Sequence, residues 1–320
     1  MTKTQPNWLR ATFGSYIGFV LAIAAMIVLF GSLSEYFLTT STFTTIANDI
    51  PAIAVMAVGM TFVLIIAGID LSVGSVMALA GATIGIAMTQ WGWSLLPAMF
   101  LAMLVGVGCG FLTGMVSVAW RLPTFIVSLG MLEIARGGAY IATNSRTQYI
   151  GGAIDWLSAP LLGGISPAFM LAFLIVIAGQ LLLTRTVLGR YMIGIGTNEE
   201  AMRLAGIDPR PIKVLVFALT GALAGLAGVF QTSRLEAADP NTGAGIELQV
   251  IAAVVIGGTS LMGGRGSVVN TFFGVLIISL LEAGLAQIGA SDPAKRIVTG
   301  CVIIAAVVLD GYRSRQARRA

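Results

Sequence analysis

Long apolar blocks alternate with short polar stretches along this chain, and the blocks set the first expectation. A helix crossing a membrane needs ~20 mainly apolar residues. Residues 11–34 carry no charge and predict a first span at about 14–33. Lys3 and Arg10 ahead of it resemble a signal peptide. The run outlasts a signal core of ~7–15 residues, however, and Glu35, Tyr36 and Phe37 follow in place of small residues. The expectation is a retained helix. A second span is read at about 47–68, with Pro51 in its opening turns. Residues 71–120 hold no charge at all. As one helix they would measure ~75 Å against a hydrocarbon core of ~30 Å, so the run must fold back. Trp91 and Trp93, with Pro97 beyond them, mark the turn at a membrane interface. Further spans follow at about 73–90, 95–118, 123–143, 165–183, 214–233, 247–263, 267–288 and 297–309.

The pattern predicts an all-α polytopic membrane protein with about ten transmembrane helices. Its breaks or re-entrant segments fall near 68–75 and 257–267, where glycine clusters interrupt the apolar runs. Gly68, Leu71 and Gly74 align with Gly258, Leu261 and Gly264, and Gly-Ser-Val follows in both. That is either a weak internal repeat of the transporter kind or chance in a chain with 40 glycines. Asp70 can stop one helix and, with Ser72, cap the next. Gly106, Gly110 and Gly114 recur every four residues, as do Gly81 and Gly85, and Gly221 and Gly225. Such spacing lets membrane helices pack closely.

Composition agrees. Charged residues make up 10 % of 320 and apolar ones 57 %, with a mean hydropathy of +0.94. A soluble domain has about 25 % charged residues. Ten spans use ~200 residues and leave no soluble domain of ordinary size. The reading is a single permease domain over 1–320, with tails at 1–13 and 311–320 and a polar loop at 184–213. Any energy source is then a gradient or another chain. With both termini in the cytoplasm, Lys and Arg divide thirteen to four, with Arg136 inside a span. The basic tail reads as topogenesis and membrane-lipid contact, not nucleic-acid binding.

There are no histidines, which removes His metal sites, Ser-His-Asp triads and His relays. Cys109 and Cys301 lie in apolar runs and read as packing residues. No metal, cofactor or catalytic constellation is expected. The intramembrane charges are different. Glu133 and Arg136 share a helical face and can pair. Each would cost ~2.5–3.5 kcal/mol at a helix centre, so a structural pair and a polar pathway are both open readings. Glu282 is similar and has no partner near it in sequence. Candidate groups for a solute path are Asp70, Ser72, Ser128, Glu133, Arg136, Asn270 and Glu282, with Thr124 and Gln287 also able to meet hydroxyls. In the polar loop, Asn198 suits an N-cap, Glu199 and Glu200 a first turn, and Gly206 a stop. Ala201, Leu204 and Ala205 form a short apolar face, able to dock in a groove of a soluble partner.

Five stretches, in order and spacing, identify a family resemblance: GIDLSVGS (68–75), PTFIVSLG (123–130) with Arg136-Gly137 after it, TRTVLGRYMIGIGTNEEAMRLAGI (184–207), ALTGALAGLAG (218–228) and GAGIELQVIAAVVIGGTSLMGGRGS (243–267). Over about 15–310 the chain resembles the membrane permease subunits of bacterial ATP-binding-cassette sugar importers, the ribose-type family. The resemblance implies about ten helices in the bacterial inner membrane and a pair of permeases, two copies or one with a paralogue. It also implies a separate, tandem-cassette ATPase subunit that binds the ATP and Mg²⁺, and a periplasmic or surface sugar-binding protein. It matches Asn198–Gly206 to the ATPase-coupling segment, with Gly189, Arg190, Asn198, Glu199, Glu200, Ala201 and Gly206 as the coupling set. Met202 departs from the family's usual second Ala. The chain itself has no phosphate loop. The alternative is an ion-coupled secondary transporter with Asp70, Glu133 or Glu282 as carrier; an intramembrane enzyme lacks any nucleophile–base pair.

Overall fold

Apolar length, caps and glycines produce a helical bundle, seen here in a computed structural model that describes residues 7–319. Helix α1 spans Asn7–Leu33, α2 Thr40–Ile65, α3 Val73–Thr89, α4 Leu95–Ala119 and α5 Thr124–Thr143. Then come α6 Pro167–Arg185, α7 Val187–Thr197, α8 Glu199–Leu204, α9 Pro209–Leu235, α10 Ile246–Ile256, α11 Val268–Gln287 and α12 Asp292–Arg319. Each of the ten expected spans falls on one of α1–α6 or α9–α12. Among the described residues, α1, α2, α4, α5, α6, α9 and α11 are long and apolar enough to cross a membrane, and α3 and α10 are shorter apolar helices. The protein is an all-α polytopic membrane protein.

Three boundaries differ from expectation. Helix α2 starts at Thr40, on an N-cap in which Thr39 accepts from the Thr42 amide, so Pro51 lies in mid-helix. Membrane helices tolerate such a proline because neighbours satisfy the freed backbone groups. The span read at 247–263 ends at Ile256. Its eleven residues rise only about 16 Å. Gly257 and Gly258 stop it, and residues 257–267 are irregular chain. The third difference is α7. A helix forms over 187–197, within the stretch read as polar loop, although Gly189, Gly194 and Gly196 disfavour one by propensity.

Helix α2 is the hub. It packs against α6, α9, α10 and α11 and buries Met56, Met60, Phe62, Leu64 and Ile65 almost completely. Thr220 donates to the Gly59 carbonyl (3.1 Å), and the Thr61 and Thr271 hydroxyls meet at 2.8 Å. Such bonds join membrane helices where apolar burial alone gives little drive. Helices α4 and α9 form the most extensive seam. A methyl group on Gly106 or Gly110 would overlap the carbonyl oxygens of Gly221 and Phe217.

The segments 66–72, 120–123, 184–213 and 257–267 lie at one end of the bundle, called the basic end below. At the far end, Gln148–Tyr149 and Ala237–Ala238 make a two-residue antiparallel ribbon, with Gln148 opposite Ala238. Helix α12 continues to Arg319, through most of the stretch read as a tail. Of the N-terminal tail read at 1–13, residues 1–6 lie outside the described residues.

Candidate functional site

Two chain breaks and the polar loop meet at the basic end. In the first break, six of the seven backbone amides of residues 66–72 have named acceptors. The Ile66, Ala67 and Gly68 amides return to α2 carbonyls. The Ile69 amide donates to Thr124 Oγ1 (2.9 Å) and the Leu71 amide to Ser128 Oγ (3.0 Å). The Ser72 amide and hydroxyl both donate to Asp70 Oδ1, at 2.9 and 2.6 Å. Asp70, Ser72 and Ser128 are buried to 2 % exposure or less. The structure thus brings these candidates together, in a network that holds the break and staples it to the start of α5.

The second break folds back on the first. The Gly264 amide donates to the Ile65 carbonyl (2.9 Å), and the Ser260 amide to the Arg265 carbonyl (3.0 Å). Asn270 follows on α11, where the Ser267 hydroxyl caps its amide (3.3 Å), away from the Asp70 network. Gln180 of α6, missed by sequence reasoning, adds a second cap: its Oε1 accepts from the Val268 (2.9 Å) and Val269 (3.2 Å) amides. No local signal reveals it, because its partners lie 88 and 89 residues on.

Helix α7 wedges into this junction. Gly196 lies so close to the Ile65 carbonyl and the Gly264 amide that a side chain there would overlap both. Gly189 makes the tight corner after α6, with its amide capped by Thr186 Oγ1 (3.2 Å) and its α-carbon against the Leu182 and Leu183 carbonyls. Asn198 ends α7 and caps α8, accepting from the Ala201 amide (3.0 Å). Glu199 accepts from Lys213 (2.5 Å) and Arg203 (3.5 Å), tying α8 to α9. Arg190, Glu200, Ala201 and Gly206 are exposed, and Leu204 is 83 % exposed. Met202, the residue that departs from the family pattern, points inward onto Gly194. Of the seven coupling candidates, Gly189 is buried in the corner after α6, and the other six lie on the exposed side of α7 and α8 or just beyond.

The intramembrane charges resolve differently. Arg136 does not pair with Glu133. Its Nη1 donates to the carbonyls of Pro240 and Thr242, both at 2.8 Å, and so fixes the chain after α9. Two carbonyls held by one cation outcompete a neighbour whose helical position points it outward. Glu133 is exposed, on a face of α5 shared with Phe125, Ile126, Leu129 and Ile134.

At the far end Glu282 accepts from Gln249 Nε2 (2.5 Å) and lies between two cavities. One, of about 300 Å³, is also lined by Thr42, Asp49, Ser279 and Gln287. The other, of about 440 Å³, includes Lys295, Arg296 and Thr299. Asp49 pairs with Arg234. Glu282 and Gln287, far apart from any motif, thus share one polar cavity.

A buried hub helix, several helices apolar enough to cross a membrane and an exposed polar loop are the features of a polytopic membrane protein. The chain belongs to the family described as branched-chain amino acid transport system / permease component, whose model matches residues 42–307. It is 37 % identical over 303 residues to the ribose import permease protein of Escherichia coli (strain K12), covering 92 % of this chain and 93 % of that one. It is 36 % identical over 309 residues to the D-allose transport system permease protein of the same strain, covering 95 % and 94 %. A third relative is the autoinducer 2 import system permease protein of Yersinia enterocolitica, 32 % identical over 293 residues, covering 91 % and 81 %. No solved structure matches at the same stringency.

Proposed function

We propose that this chain is the membrane-spanning subunit of an ATP-driven importer for a monosaccharide, a ribose-like pentose or a hexose. It works with a second permease, a separate cassette ATPase that binds ATP and Mg²⁺, and a sugar-binding protein on the far side. The observation that carries this reading is the exposed Ala201–Leu204 face on the α7–α8 mount. An apolar patch on a short helix, presented by a rigid base, suits docking to a moving partner. The Lys and Arg distribution supports a cytoplasmic basic end and cytoplasmic termini, in a bacterial inner membrane. Relatives that import ribose and D-allose support the sugar.

The geometry supplies a route for coupling. A force on α8 reaches the Ile65 carbonyl through Gly196. From the break it reaches α5 through Thr124 and Ser128. The outer face of α5 carries Glu133 among apolar residues, and a carboxylate there is costly against lipid. That face suits a wet seam between two permeases, which is the proposed sugar path. The ATPase's two states would then bias the α5 seam by their differential contacts with α8. Glu282 and Gln287 offer polar groups at the outer end.

Leu204→Asp and Glu200→Arg test this reading. Both sites are exposed, so stability should shift by no more than about 0.5 kcal/mol. Sugar uptake in whole cells should fall to background while membrane insertion persists. Normal uptake in both variants defeats the coupling assignment. Uptake abolished by a protonophore yet insensitive to ATP depletion supports the ion-coupled alternative instead.

A further inference from the structure

A cavity of about 390 Å³ opens at the basic end beneath the α4–α5 turn, and four cations line it: Arg121, Arg203, Arg210 and Lys213. Glu199 is the one carboxylate in its wall, and it is engaged by Lys213 and Arg203. Asp208 lies nearby but accepts from the Arg210 amide (3.0 Å) as the cap of α9. Among the described residues no ion pair joins Arg121 or Arg210 to an acid. The cavity wall therefore holds an uncompensated positive charge.

The first turn of α5 faces the same space through Thr124 and Phe125. It carries no side-chain cap, and Thr124 Oγ1 accepts from the Ile69 amide. The positive end of that helix adds to the field of the guanidinium groups. Arg121 is held in the left-handed region (φ 54°) because the Ser117 carbonyl accepts from the Leu122 amide and the Ser117 hydroxyl donates to the Leu122 carbonyl. A non-glycine residue persists there only when its surroundings fix it. That fixes where the Arg121 side chain departs.

We propose that this cavity binds the phosphate of an anionic phospholipid. Arg121, Arg210 and Lys213 would contact the phosphate, and Arg203 would close the side next to α8. The rim decides for a lipid over a soluble phosphate ester. Trp120 is 67 % exposed, and Leu122 and Phe125 are each 45 % exposed. Trp120 and Leu122 flank Arg121 and Phe125 lies in the first turn of α5, where a tryptophan suits the membrane boundary and an acyl chain can lie on the apolar surface. The bound phosphate would bridge α8, α9, the α4–α5 turn and the first break, and so stiffen the junction on which the coupling segment sits. A lipid site at these residues is independent of which solute is carried.

The test is native mass spectrometry of the purified full-length permease with added phosphatidylglycerol or phosphatidylcholine. Wild type should retain phosphatidylglycerol selectively. Arg121→Gln with Arg210→Gln should weaken that retention about thirtyfold, as expected for two boundary cations. Arg121→Lys with Arg210→Lys keeps the charges and should retain most of it, and Arg146→Gln at the far end should leave it unchanged. Equal retention by wild type and the double Gln variant overturns the site. Should the double Gln variant fail to fold, wild type alone decides: no preference for phosphatidylglycerol over phosphatidylcholine overturns the site. Thermal stabilisation by glycerol phosphate in detergent, equal to that by phosphatidylglycerol, overturns the lipid assignment in favour of a soluble phosphate ester.

Discussion

The α4–α9 seam and the outer face of α5 both carry glycines at helical spacing, yet they meet different surroundings. At the seam, Gly106 and Gly110 abut the carbonyls of Gly221 and Phe217, and Gly225 abuts Ala102 and Met103. On α5, Gly130 and Gly137 have nothing near the place a side chain would occupy. The seam glycines let two backbones touch, which is where membrane helices gain their packing energy. The α5 glycines leave a smooth, unfilled surface beside Glu133. The same residue type is structural in one place and, on the proposed reading, part of an interface in the other.

The largest effect should come at the seam. Gly106→Ala with Gly110→Ala forces carbon into two carbonyl oxygens and should cost about 3 kcal/mol or more. Unfolding in detergent, followed by circular dichroism, checks it; wild-type stability would break the contrast. Next comes Gly196→Ala at the α7 junction. The overlap with the Ile65 carbonyl is closer still, but only one methyl is added and the helix is short, so about 1–3 kcal/mol is expected. Here uptake should fall further than the amount of folded protein in the membrane does. Arg136→Gln should cost about 2 kcal/mol, because two charge-assisted bonds give way to neutral ones from a shorter amide. Limited proteolysis should then cut more readily within 239–245. The smallest effect belongs to the open face. Gly137→Ala should raise stability by about 0.5 kcal/mol, the ordinary helical gain. A large destabilisation there would mean that the isolated chain already covers this face.

Much of the fold is legible in the sequence because membrane physics is local. Charge-free length decides a span, as in 71–120, and Trp91 and Trp93 mark the turn without reference to any neighbour. Asn198 and Gly206 bracket α8 by cap chemistry alone. Other features depend on distant partners. The spacing of Glu133 and Arg136 permits a pair or a polar pathway, but the Pro240 and Thr242 carbonyls, more than a hundred residues away, take the arginine. Helix α7 forms against its propensity because Gly196 fits under the Ile65 carbonyl. The early end of α10 at Ile256 could not be read from apolar residues that continue past it.

The sequence by itself determined where the apolar segments fall, the two breaks, the basic end and the surface helix, because each follows from hydropathy, capping or charge read along the chain. Only the tertiary structure decided that α2 is the hub and that both breaks and α7 lock together. It also decided that Asp70, Ser72 and Ser128 hold a backbone turn and that Arg121 and Arg210 share a cavity. Those outcomes depend on which distant backbone groups come within hydrogen-bonding or van der Waals reach, and no local pattern encodes that distance.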